Sequence, residues 1–276
     1  MPSRMANEKR AALSRSIQER GKLVIAYSGG VDSGLLLLLA CDLLGTDKVY
    51  AVTLSSSLLP QREVAAIERF VKERGVRHQF VPFPWQTNEA FIRNPQERCY
   101  YCKREMARLL YQIAAAAGIS TVAEGVTASD YEEYRPGLRA ATEAGVWHPL
   151  AEAGLTKREV RELAADMGLP FAAKPASPCL ATRLEYGERL TTEKLERIES
   201  AETFLHDLGF TQVRVRLHRG GVARIEVNKN ELDAFCEPML RERVSRGLKA
   251  LGFSYVTLDL EGYRSGSMAT SLSPFR

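Results

Sequence analysis

At 276 residues, 45% hydrophobic and 26% charged, the chain has the composition of a soluble globular protein and enough length for two cores. Its longest apolar run, 34–44, is too short to span a bilayer and carries Cys41 and Asp42, so no membrane span is expected. Lysine and arginine number 38 against 34 acidic residues, an excess of four without a long basic run, which argues against nucleic acid as the main partner. The N-terminal stretch mixes Arg4, Glu8, Lys9, Arg10, Arg15, Glu19 and Arg20 with alanines, lacks the apolar core of a secretory signal, and points to the cytoplasm.

Periodicity predicts a helix over 6–19, a strand over 22–27, a helix over 31–44, a strand over 49–54, a helix over 60–73 and a strand over 78–83. Strand and helix alternate, as in a parallel α/β sheet. A helix over 102–117, a strand over 121–124 and a helix over 157–167 capped by Thr156 follow, with a loop-rich segment ahead of the last. The stretch 174–187, with Pro175, Pro178 and Gly187, reads as an ordered loop over a site. Beyond it come a long helix ending near Gly209, strands over 212–218 and 222–227 joined by Gly220-Gly221, a helix over 238–251 and a strand over 255–259. The expected organisation is an α/β domain over 1–188 and a smaller α+β domain over 189–276 that serves substrate binding or oligomerisation.

Ala26-Tyr27-Ser28-Gly29-Gly30-Val31-Asp32-Ser33 leads from an apolar strand through two glycines into a helix N-terminus. Such a turn suits an anion: glycines admit close backbone approach, the first helical N–H groups point at the ligand, and the Ser28 and Ser33 hydroxyls add donors. Asp32 makes sense beside a polyphosphate if it helps to hold Mg2+. The motif resembles the signature of the PP-loop ATPases, in which the loop holds the pyrophosphate of ATP while a substrate oxygen attacks the α-phosphate; no Gly-Lys-Ser/Thr P-loop is present.

Five cysteines without an export signal argue against a disulfide framework and for metal or catalytic use of some of them. Cys99 and Cys102 form a Cys-x-x-Cys at a helix start, and Cys179 lies in the proline-flanked loop 174–183. Three thiolates on one iron–sulfur cluster would leave an iron open for sulfide; zinc, redox use and inert thiols are the other readings. Cys179 alone also reads as a nucleophile, made acidic by Lys174 and Arg183. Cys41 falls in a core helix and Cys236 in the second domain. Arg214 and Arg216 alternate on one strand and share a face, and Arg264 sits between two glycines; such groups clamp phosphate or carboxylate, or are solvated strand charges.

These blocks in order, Ser28 to Ser33, Tyr134 to Arg139, Lys174 to Gly187, Val213 to Arg216 and Gly252 to Gly266, resemble the LarE family of ATP-dependent sulfur transferases over nearly the whole chain. The resemblance implies a PP-loop, Rossmann-like fold. It also implies a mononucleotide substrate, pyridinium-3,5-biscarboxylic acid mononucleotide, whose carboxylates are adenylated and then converted to thiocarboxylates for a nickel pincer cofactor. Ser28, Gly29, Gly30, Asp32 and Ser33 would hold ATP and magnesium, with Ala26 and Gly125 near the nucleotide. Arg183, Arg214, Arg216 and Arg264 would meet substrate, and Asp32, Cys179 and Arg183 would be catalytic. Sulfur would come from a 4Fe-4S cluster on Cys99, Cys102 and Cys179, or sacrificially from Cys179. Glu133 stands where the family pattern has aspartate. A homo-oligomer is implied as well. A tRNA-thiolating enzyme and a non-catalytic ATP or iron–sulfur sensor are the competing functions.

Overall fold

The computed structural model describes residues 4–174, 177–264 and 266–268. Pro175 and Ala176 of the proline-flanked loop, and Ser265 of the motif at 262–266, lie outside the described residues. The chain divides into two compact units, Met1–Phe91 with Gln96–Ser177 and Ile92–Pro95 with Pro178–Arg276. The division falls after Ser177, ahead of the boundary expected after residue 188, because a 3-10 turn at Leu180–Arg183 packs within the second unit. Residues 92–95 join that unit through two bonds of Asn94: its Nδ2 donates to the Glu185 carbonyl at 2.7 Å, and its own carbonyl accepts from Gly187 N at 2.8 Å.

The first unit is built from α1 (Arg4–Arg20), β1 (Leu23–Ala26), α2 (Val31–Leu44), β2 (Val49–Ser55), α3 (Gln61–Glu73), β3 (His78–Pro82), α4 (Glu89–Ile92), α5 (Arg98–Ala116), β4 (Thr121–Glu124), α6 (Pro136–Glu143), α7 (Pro149–Glu152) and α8 (Lys157–Asp166), with α4 ending where the chain passes into the second unit. Its four strands are all parallel in the order β3-β2-β1-β4. Leu23, Ile25, Val49, Ala51 and Ala123 face a core made with α1, α2, α3 and α8. Val24, Val52 and Val122 face the other core, made with α5 and α6. Burial on both faces is why these strands read as continuous apolar runs instead of alternating ones. Helix α2 is apolar around its circumference and central, and burial followed by the charge of Asp42 pushes its Cys41 thiol up to about 11, an inert position.

Two differences from the sequence expectations bear on function. Helix α5 starts at Arg98, not at 102, so Cys99 lies in its first turn and Cys102 at the start of its second. The segment expected to be loop-rich contains a 3-10 turn (Ala128–Glu132) with a Thr127/Asp130 capping box, and the short helices α6 and α7. Helices this short carry too few residues for a periodic signal, and the prolines that look like breakers, Pro136 and Pro149, occupy the first helical turn, where proline fits.

The second unit holds α9 (Thr192–Asp207), β5 (Val213–His218), β6 (Val222–Val227), α10 (Pro238–Ala250) and β7 (Tyr255–Leu258). Strands β5 and β6 are antiparallel, β6 and β7 parallel, in the order β5-β6-β7. Leu195, Ile198 and Leu205 of α9 are buried, as are Val213, Val215 and Leu217 of β5. The opposite face of β5 is buried too, and carries Arg214 and Arg216. Among the described residues no helix is long and apolar enough to cross a membrane.

Candidate functional site

The loop after β1 sits at the carboxyl end of the strand on which the sheet order reverses, with β2 on one side and β4 on the other, the usual place for a ligand in such sheets. Ala26 ends the strand, and the Tyr27 amide still pairs with Val52 at 2.9 Å. Ser33 Oγ accepts from the Ser28 amide at 3.2 Å, donates to the Gly30 carbonyl at 3.3 Å and lies 3.1 Å from Ser28 Oγ, closing the loop on itself. Gly29 takes φ +74°, and a Cβ on it would come within 2.7 Å of Ile67. Gly30 caps α2 without a side chain, so the first-turn amides of the helix keep their donors for an anion. From β4, Gly125 abuts this turn: an added Cβ would lie 2.4 Å from Ser33 N and 2.6 Å from Asp32 C. Gly125→Ala must push the phosphate loop aside, and we expect ATP-dependent pyrophosphate release to fall about 100-fold with folding retained, measured beside a circular dichroism melt.

Asp32 is the chemical centre of the loop. One carboxylate oxygen pairs with Lys157 Nζ; Oδ1 is buried with no hydrogen-bond partner among the described residues. Burial raises its pKa most, against the charge and hydrogen bond of Lys157; the negative charge of Asp130 raises it further and Arg161 lowers it. A half-buried carboxylate with one oxygen buried and unbonded, and with the charge of Asp130 acting on it, is a fit for a divalent cation. The sequence does not single out Lys157, whereas Asp130 opens an acidic stretch, 130–137, that reads there as an active-site loop or a surface connection. Lys157 is the first residue of α8, placed by a capping box in which Thr156 Oγ1 accepts from Glu159 N at 3.3 Å and Glu159 Oε2 from Thr156 N at 2.8 Å. Lys9 of α1 holds the same Glu159 at 2.8 Å. On the far side of the loop, Lys174 pairs with buried Glu63 of α3, whose Oε2 lies 3.9 Å from where a Gly29 Cβ would be. Glu124, ending β4, binds Lys103 and, at 3.1 Å, His148; burial would push its carboxyl up, but these partners outweigh it and hold it at about 2.

Cys99 is exposed, and Cys102 and Cys179 are half-buried. Cys99 and Cys102, three apart in α5, share a helix face, and Cys102 Sγ contacts Met106 Sδ at 3.9 Å. Cys179 belongs to the second unit, at the N-cap of the Leu180–Arg183 turn, where its carbonyl accepts from Thr182 N at 3.0 Å. Among the described residues no three His, Cys, Asp or Glu side chains gather as a metal-holding group. Of the two cations near it in sequence, Lys174 pairs with Glu63 and Arg183 with Glu202.

Arg183 is 0% exposed and makes a bidentate pair with Glu202 at 2.9 and 3.0 Å, while its Nη1 donates to the Pro178 carbonyl at 2.7 Å and to Cys179 O at 3.3 Å. It therefore holds the cysteine turn, with its guanidinium fork filled by Glu202. Glu202, unmarked in the sequence, also accepts from Val215 N at 3.0 Å. Arg214 is 2% exposed, donates to the Val213 carbonyl at 2.6 Å and stacks 5.3 Å from the centre of the Tyr263 ring. Burial, then the charge of Arg183, pushes its pKa down to about 10. Arg216 pairs with Glu226 at 2.7 Å and with Thr182 O at 3.1 Å. Arg264 is partly exposed, 2.6 Å from Glu261 and 3.6 Å from Asp259.

The NAD synthase family model matches residues 5–183. The chain is 40% identical over 264 residues to an uncharacterized protein of Synechocystis sp., covering 96% of this chain and 98% of that one. It is 37% identical over 265 residues to the pyridinium-3,5-bisthiocarboxylic acid mononucleotide synthase of Lactiplantibacillus plantarum, covering 96% and 95%. It is also 27% identical over 201 residues to a subunit of the glutamine-hydrolyzing GMP synthase of Thermoplasma volcanium, covering 66% and 62%. With its phosphate loop in place and a relative of this identity along nearly its full length, the chain belongs to the NAD synthase family of PP-loop proteins, in its LarE branch.

Proposed function

We propose that this chain is an ATP-dependent sulfur transferase. It adenylates the carboxylates of pyridinium-3,5-biscarboxylic acid mononucleotide and converts them to thiocarboxylates. The observation that carries the reading is the half-satisfied Asp32 in a donor-lined loop beside Lys157, in a chain alike over 96% of its length to a synthase of the bisthiocarboxylic product. A carboxylate is a poor electrophile. Its oxygen attacks the α-phosphorus of ATP and pyrophosphate leaves; sulfur then attacks the acyl carbon and AMP leaves.

The first-turn amides of α2 with Ser28 and Ser33 bind the departing pyrophosphate, and Lys157 offsets its charge. Asp32 and Asp130 would hold Mg2+, which supplies charge neutralisation along the polyphosphate. Arg214, Arg216 and Arg264 meet the anionic groups of the substrate. Arg183 acts through Cys179 by holding its turn. For the sulfur source we favour a cluster on Cys99, Cys102 and Cys179, supported by the two thiols on one face of α5 and the soft, three-thiol donor set. Such a group supplies an exchangeable sulfide when bound. The LarE branch further supports a homo-oligomer working in the cytoplasm.

Iron content and thiocarboxylate per chain, measured on anaerobically reconstituted protein, test this. About four irons, lost in Cys99→Ala, Cys102→Ala and Cys179→Ala, with several products per chain, are expected. At most one product per chain, with Cys179 losing the mass of hydrogen sulfide, would replace the cluster by sacrificial transfer. No pyrophosphate release with ATP and the biscarboxylic mononucleotide would remove the reading itself.

A further inference from the structure

Lys103 of α5 and Glu124 of β4 form an ion pair that joins two parts of the first unit. Alternation along β4 turns Glu124 to the face of Val122, which packs toward α5, and the register sets it opposite Ala26, the last residue of β1 before the phosphate loop. Its neighbour Gly125 is the residue that abuts Asp32 and Ser33. On the other side, Lys103 directly follows Cys102, and Gly137 of the Tyr134 to Arg139 block lies against both Lys103 and Cys99. A Cβ on Gly137 would come within 3.1 Å of Lys103 Cγ and 3.5 Å of Cys99 Cβ. The pair thus bridges the strand end that carries the phosphate loop and the helix turns that carry the cysteines.

Both oxygens of buried Glu124 are taken, Oε2 by Lys103 Nζ and Oε1 by His148 Nε2 at 3.1 Å. Held at about 2, the carboxyl is an acceptor only, so His148 Nε2 donates and, in the neutral ring, Nδ1 accepts from Tyr131 Oη at 2.7 Å. A chain of four side chains runs from Tyr131, 53% exposed, through buried His148 and Glu124, and ends in a cation beside the cysteine pair. Lys103 itself is 38% exposed, and Glu124 is its only hydrogen-bond partner among the described residues, which leaves ammonium donors for a ligand. Burial would lower its pKa, but the charge and hydrogen bond of Glu124, then the charges of Cys102 and Cys99, outweigh this and raise it.

We infer that Lys103 is a catalytic residue that holds one oxygen of the reacting carboxylate, with Glu124, His148 and Tyr131 as its positioning residues. The identity of that carboxylate rests on the proposed function. The other oxygen bonds to the α-phosphorus of ATP as pyrophosphate leaves. When sulfur adds to the acyl carbon, the carbonyl electron pair moves onto the oxygen held by Lys103, where a fixed cation stabilises it; collapse restores the carbonyl and expels AMP. One contact serves both half-reactions because Lys103 adjoins the phosphate loop through Glu124 and the thiols through α5.

Calorimetry on the full chain compares nicotinic acid mononucleotide with nicotinamide mononucleotide, which differ in carboxylate against amide. The parent is expected to prefer the carboxylate about tenfold, and Lys103→Met to lose that preference while ATP binding is kept. Pyrophosphate and thiocarboxylate are then followed with ATP, the biscarboxylic mononucleotide and added sulfide. Lys103→Met should raise KM for the mononucleotide and yield about tenfold less thiocarboxylate per pyrophosphate released, because the adenylate goes to water instead. Lys103→Arg should recover part of both, and Lys103→Gln replaces Lys103→Met if that variant does not fold. Tyr131→Phe, at the exposed end of the chain, should lower the same ratio about threefold with the melting temperature unchanged, an effect that a purely structural hydrogen bond would not produce. Unchanged preference and ratio in Lys103→Met or Lys103→Gln, or a parent that does not distinguish the two probes, overturns the assignment. A parent that prefers the carboxylate through Lys103 but releases no pyrophosphate with the biscarboxylic mononucleotide keeps the contact and removes the proposed function.

Discussion

Asp32→Asn is expected to slow substrate-dependent pyrophosphate release from ATP by about 1,000-fold, roughly 4 kcal/mol of transition-state stabilisation. The substitution keeps size and shape but deletes the charge that a magnesium ion needs, and leaves Lys157 without its carboxylate partner. The melting temperature should hold or rise slightly: burial raises the pKa of this carboxyl and Oδ1 has no partner among the described residues, so the native state gains little from the charge. Pyrophosphate release and a thermal melt on the same preparations decide the matter. Activity within tenfold of the parent would show that the loop does not handle ATP through Asp32. Lys157→Met is the companion variant, with a smaller loss, because it removes one positive charge and leaves the Asp32 and Asp130 carboxylates in place.

Glu202→Gln should cost about 3–5 kcal/mol of unfolding free energy, the usual effect of breaking one side of a buried ion pair. Its partner Arg183 is fully buried, and the carboxylate also accepts from Val215 N, so the variant leaves an uncompensated guanidinium between α9 and β5. Denaturant titration measures the loss. The double variant Arg183→Met with Glu202→Leu separates the two roles of the pair, since apolar replacement of both partners is often neutral in stability. We expect the double variant to recover most of the stability but not the sulfur transfer, because nothing then ties the Pro178 and Cys179 carbonyls. Full sulfur transfer in the double variant would reduce the ion pair to a purely structural element.

Features legible in the sequence are those with a local cause. The turn from Ala26 to Ser33 combines an apolar strand, two glycines and a helix start within a few residues, and the structure closes it through Ser28 and Ser33. Thr156 is readable as an N-cap because capping is a contact with residues three positions away. Lys157, one residue on, carries no signal: its role arises from Asp32, 125 positions earlier in the chain. Asp130 looks like one acid in an acidic loop, and its proximity to Asp32 is a product of β4 running beside β1.

Alternation alone places Arg214 and Arg216 on one face, but not what lies opposite, since strand pairing and its register decide that. Arg183 reads as reaching substrate, whereas packing turns it inward to Glu202, a residue that sits on α9 among ordinary helix formers. The amino-acid sequence by itself determined the class of fold, the phosphate loop, the cysteine positions and the family, because short-range backbone geometry and ordered motifs specify them. Tertiary structure alone decided which charges meet, at Asp32–Lys157, Arg183–Glu202 and Arg216–Arg224–Glu226, because Coulomb and hydrogen-bond energies depend on distance through space and on burial, neither of which is written in the spacing of residues along the chain.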